Sequence, residues 1–172
     1  TLLYYAQVSV VGSDFEALSW LSLKEMSPRL DPTIMKLAFV FILIGYGTKA
    51  GLAPMHTWLP DAHSQAPSPI SALLSGVVLS CAAYGIIRNL IVVQGSINYE
   101  FFQYLLIGFG VFSIAIAIPF ILVQHDLKRL LAYSSVENMG IITLGLGIGT
   151  TLSIYGALLH IINHAIAKSA LF

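Results

Sequence analysis

The sequence predicts an all-α, polytopic transmembrane helical bundle with a discontinuous helix, and three observations carry that reading. Apolar residues make up 57% of the 172 positions and charged residues only 9%, against roughly 25% charged in a soluble domain. Long apolar runs alternate with short polar ones, the pattern of a multi-spanning membrane protein. Inside one such run, Gly51 and Pro54 interrupt the helical pattern just after Lys49. The formal net charge of zero argues against a nucleic-acid partner. The single cysteine, Cys81, lies in an apolar run and reads as a small buried residue.

The chain reads as one transmembrane domain, 1–172, with about six membrane segments. Residues 1–11 form the tail of a partial first span. Residues 13–32, with charges, two prolines and aromatic residues, form an interfacial loop holding a short amphipathic helix. A broken span covers 33–59, longer than the ~20 residues a straight crossing needs. The next covers 69–87, with Ser68 as N-cap and Pro69 at the first helical position. A span over 101–123 contains Pro119, which frees the carbonyl of Ala115. Another covers 130–148 behind a cap at Asp126, and the last, 151–172, is cut short. There is no basic, cleavable leader, and both ends fall inside apolar segments, which predicts an excerpt from a longer protein.

Several of these helices carry groups that gain or lose protons. Lys49 lies midway along the broken span, where a lysine costs about 2.5–3.5 kcal/mol on insertion scales. It therefore faces protein or water, beside the carbonyl that Pro54 leaves without a donor. The alternative is a lysine snorkelling to the interface. His56 and His63 are seven residues apart in "HTWLPDAH", without the HExxH of a zinc site. They are candidate relays, the alternative being local hydrogen bonding around Asp61, with Trp58 as an interfacial anchor. Glu137, two turns into its span, must be protonated or paired, with Asn138 beside it as a helper. The alternative is an interfacial glutamate that reaches water. His160, His164 and Lys168 are spaced i, i+4, i+8, so one helix face carries all three over about 12 Å. Titratable groups at that spacing suit proton hopping through bridging water.

Three stretches, "TKAGLAPMHTWLPDAHSQAPSPISALLSG", "QHDLKRLLAYSSVENMGI" and "HIINHAIAKSALF", resemble the antiporter-like, proton-translocating membrane subunits. That family is shared by respiratory complex I, the Mrp sodium/proton antiporters and the membrane-bound energy-converting hydrogenases. The wording around Gly51 and Glu137 most resembles the hydrogenase-4 and formate hydrogenlyase branch, and the likeness runs from about Leu30 to the end. The resemblance implies an inverted-repeat fold, with Lys49 as the lysine of the first broken helix and His160, His164 and Lys168 on a central hydrophilic axis. It implies no catalytic residue and no cofactor in this chain, with iron–sulfur and nickel–iron centres held by partner subunits. The implied partners are other antiporter-like membrane subunits, a peripheral redox arm and the lipid bilayer, in the cytoplasmic membrane of a prokaryote.

Lys24, Arg29 and Arg88 fall on one side of the membrane and Lys128 and Arg129 on the other, which by charge alone favours the first side as cytoplasmic. The resemblance places the loop at Gln124–Arg129 there instead, and that orientation is adopted. Relatives in complex I often carry a titratable residue on the span after the break, where this chain has Leu74 and Ser80. The functional expectation is a proton- or sodium-translocating subunit of a redox-driven complex. The alternatives are a stand-alone antiporter subunit of Mrp type and a scaffold that has lost transport.

Overall fold

The computed structural model describes Leu3, residues 19–96 and residues 98–172. The expected span at 1–11 and the first part of the loop at 13–32 lie outside them, Leu3 apart. Among the residues described from Ser19 on there are seven α-helices and a short 3-10 turn (Ser27–Arg29): α1 (Trp20–Met26), α2 (Pro32–Ala50), α3 (Trp58–Gln65), α4 (Ser68–Gln94), α5 (Tyr99–Val123), α6 (Leu127–Ile148) and α7 (Thr151–Leu171). By length and composition α2, α4 and α5 can each cross a membrane. With 22 and 21 residues, α6 and α7 reach about 30 Å, long enough to cross as well. The molecule is an integral membrane, all-α bundle whose exposed surface is rich in large apolar side chains such as Leu122 and Leu152.

Local chemistry sets the helix ends. The Asp31 carboxylate accepts from the amides of Thr33 (2.7 Å) and Ile34 (3.4 Å), and Pro32 occupies the first turn of α2. Asp126 accepts from the Lys128 amide at 3.2 Å to start α6, and Thr150 accepts from the Ser153 amide at 3.2 Å to start α7. Ser68 does not cap α4: Pro67 occupies the cap position, because its fixed, extended backbone already turns the chain into the helix. Residues Leu74–Val78 of α4 form a π-helical segment, a widened turn that shifts which side chains face inward.

Small residues allow the closest packing. A Cβ placed on Gly110 of α5 would lie 2.8 Å from the Gly140 carbonyl of α6, and one on Gly140 would lie 2.9 Å from the Gly110 carbonyl. These two helices touch backbone to backbone, which lipid-embedded interfaces reach only with such residues. The stripe Met35, Ala38, Phe39, Leu43, Gly47 and Ala50 buries one face of α2. The short α1 is held to the end of α4 by the Trp20 indole, which donates to the Arg88 carbonyl at 3.2 Å while the Arg88 guanidinium lies 4.3 Å from the ring centre. Cys81 is exposed on α4 rather than buried, one helical turn from the exposed Val77 and Tyr84.

Candidate functional site

The discontinuity begins at Gly51, whose φ of 76° is left-handed. Its amide donates to the Thr48 carbonyl at 3.2 Å and the Leu52 amide to the Gly47 carbonyl at 2.8 Å. This is a Schellman closure, so α2 has ended before Pro54 is reached. Gly51 therefore makes the break, and Pro54 lies in the linker beyond it. Two side chains from elsewhere hold that linker. The Trp58 indole donates to the Thr48 carbonyl at 2.7 Å, and Ser113 of α5 accepts from the Ala53 amide at 2.9 Å while donating to the Phe109 carbonyl at 2.7 Å. Trp58 is thus a support of the break. Lys49 projects from the exposed face of α2, opposite the buried stripe, and borders a cleft of about 290 Å³ with Gly45, Thr48 and Trp58. Among the described residues it has neither a hydrogen-bond partner nor an ion-pair partner.

The α7 stripe faces the bundle. His164 is 3% exposed and Lys168 5%, while His160 is half-buried. A ring nitrogen of His160, Nε2, hydrogen-bonds Asn138 Oδ1 at 2.7 Å, and the Asn138 amide donates to the Ser134 carbonyl at 2.6 Å. Asn138 therefore orients His160, because its side chain bridges the Ser134 carbonyl of α6 and the imidazole on α7. Lys168 Nζ donates to the Leu131 carbonyl at 3.1 Å and to the Ser134 hydroxyl. Glu137 is half-buried, within electrostatic range of Lys168, and forms no ion pair among the described residues.

His63 is fully buried and stacks on Phe172 at 4.5 Å with 15° between the rings, which brings it to the Lys168 end of the stripe. Neither ring nitrogen of His63 or His164, nor Nδ1 of His56, has a hydrogen-bond partner among the described residues. At the loop end of the bundle, Arg129 pairs with Asp61 at 2.9 Å and Lys128 Nζ donates to the Ala66 carbonyl at 2.9 Å. Asp61 thus ties α3 to α6. No group of three or more His, Cys, Asp or Glu is placed to hold a metal ion among the described residues.

With the stripe on α7 and the lysine at the break of α2 both placed, the sequence match over residues 9–172 is to the NADH:quinone oxidoreductase/Mrp antiporter transmembrane family. The chain belongs to that family. It is 42% identical over 171 residues to the hydrogenase-4 component F homolog of Methylacidiphilum infernorum, covering 99% of this chain and 36% of that protein. It superposes with a TM-score of 0.85 and 30% identity on a chain of the membrane-bound sulfane sulfur reductase, an archaeal respiratory membrane complex, covering 98% of this chain and 33% of that one. Against the Mrp complex from Dietzia sp. DQ12-45-1b the TM-score is 0.83 at 28% identity, over 98% of this chain and 18% of that one. The chain thus spans about a third or less of the length of each.

In this antiporter-family chain the structure gathers His63, His160, His164, Lys168 and Glu137 around α7. Lys49 stands at the break on the other face of α2, and no chain of direct hydrogen bonds joins it to the stripe among the described residues. Sequence reasoning missed the serines. Ser75 and Ser135 share a hydrogen bond at 2.9 Å with both residues fully buried, and Ser71 donates to the His63 carbonyl at 3.2 Å. Their one sequence signal is spacing, since Ser71 and Ser75 recur at i, i+4 within an apolar helix.

Proposed function

We propose that this chain is part of an ion-translocating membrane subunit, moving protons or sodium, in a redox-driven complex of the energy-converting hydrogenase and complex I type. The observation that carries this reading is the buried His164 and Lys168, in line with an oriented His160, inside a membrane helix. Polar and titratable groups at membrane depth are costly and are retained where ions pass. Lys49 at the helix break is the loading group of the proposed path, and Glu137 and the α7 stripe carry the proton onward, with His56 and His63 as relays. Water has to bridge between Lys49 and the stripe in this scheme. The likeness to a hydrogenase-4 homolog and to an archaeal respiratory complex supports partner subunits that carry the redox chemistry, in a prokaryotic cytoplasmic membrane.

Lys49→Ala in the full-length protein tests the reading: ion flux into proteoliposomes should stop while the complex still assembles. Unchanged flux refutes it. The likeness to the Mrp complex favours a second reading, a stand-alone sodium/proton antiporter subunit. Co-purification with an iron–sulfur or nickel–iron subunit supports the first reading, and its absence from an active preparation supports the second.

A further inference from the structure

The surroundings of Lys168 hold more hydrogen-bond donors than acceptors. The Leu131 carbonyl is approached by the hydroxyls of Ser134 (2.9 Å) and Ser135 (3.0 Å) and by Lys168 Nζ (3.1 Å). As an interior helical carbonyl it is also the acceptor for the Ser135 backbone amide. One carbonyl oxygen has two lone pairs, so four donors cannot all be served at once. The two hydroxyls are the donors free to rotate. The Ser135 proton has another acceptor in Ser75 of α4, 2.9 Å away. The Ser134 hydroxyl is in hydrogen-bonding contact with Lys168 Nζ itself.

From this competition we infer that Ser134 is a positioning residue that serves both protonation states of Lys168, accepting from the ammonium and donating to the neutral amine. The charged lysine gives one proton to the Leu131 carbonyl and another to the Ser134 oxygen. When the ammonium passes a proton to the next base in the stripe, its nitrogen gains a lone pair. The Ser134 hydroxyl then turns from the Leu131 carbonyl to that lone pair, and the place it leaves is filled by Ser135. No covalent bond in the serines changes; only the hydroxyl torsions do. Among the described residues, the other titratable groups around Lys168 are His164 on its own helix, Glu137 on α6 and His63 on α3. None is within ion-pair or hydrogen-bond distance, so Ser134 is the only described side chain bonded to this amine.

This inference rests on the proposed translocation role of Lys168. Its test is ion flux by the full-length protein in its complex, with Ser134→Ala, Ser134→Cys, Ser134→Thr and Lys168→Met compared after assembly is verified by co-purification. Cysteine keeps the size of serine but hydrogen-bonds weakly, whereas threonine keeps the hydroxyl. The expected result is a fall in flux of about tenfold or more for Ala and Cys, the scale of one lost bond to a charged group. Threonine should stay within about twofold of wild type on the same scale. A Cys variant that moves ions like wild type overturns the inference, as does a Thr variant that assembles yet is as slow as Ala. If Lys168→Met itself leaves flux unchanged, the translocation reading fails instead, so the two failures are separable.

Discussion

Replacing Lys168 by methionine should separate function from stability. The substitution keeps the length and flexibility of the side chain and removes the charge. Lost with the ammonium are the bonds to the Leu131 carbonyl at 3.1 Å and to the Ser134 hydroxyl, each contributing about 1.5–3 kcal/mol because the donor is charged. Removed at the same time is the cost of holding a cation in a membrane helix, about 2.5–3.5 kcal/mol. Both abandoned partners are neutral, and the Leu131 carbonyl keeps the two serine hydroxyls. The net destabilisation is then about 0–3 kcal/mol, below that of leaving a bare buried charge. Thermal unfolding of the detergent-solubilised protein should shift by no more than about 12 °C, while ion flux in proteoliposomes falls to the protein-free background. A variant that fails to assemble would show that Lys168 is a structural cation. A variant that assembles and conducts normally would show that it carries no ion.

Gly51→Ala forces a side chain into the left-handed region and brings its Cβ to 3.0 Å from Leu59 Cδ2. The conformational cost is about 1–2 kcal/mol, seen as a lower unfolding midpoint, with Gly51→Asn falling between Ala and wild type. Asn138→Leu leaves His160 Nε2 without its partner and should destabilise by about 1–3 kcal/mol. Adding His160→Leu should recover most of that loss, because the pair then becomes apolar on both sides; simple additivity in the double-mutant cycle would contradict the assigned contact.

The sequence made some of this architecture legible and hid the rest for physical reasons. Apolar run lengths and the interruption near Lys49 sufficed to predict a bundle with a broken helix, because bilayer thickness and backbone satisfaction act on composition directly. The i, i+4, i+8 spacing placed His160, His164 and Lys168 on one face, since helical periodicity alone decides that. Which residue ends α2 depended on a competition between Gly51 and Pro54. It was settled by the Schellman bonds to Gly47 and Thr48, three residues ahead of the proline. The contacts of Trp58, Ser113 and Asn138 were not legible because each bonds to a partner in another element or across the linker. Ser75 escaped notice beside Leu74 because the π-helical segment of α4 changes the inward register locally.

The most direct test of the central claim is flux through the full-length complex carrying His160→Gln, His164→Gln and Lys168→Met together. Internal pH and sodium would both be followed in sealed proteoliposomes under a redox or ion-gradient drive. The account predicts an assembled complex with flux of both ions at background. Wild-type flux of either ion in that triple variant would contradict it and leave the chain as a scaffold.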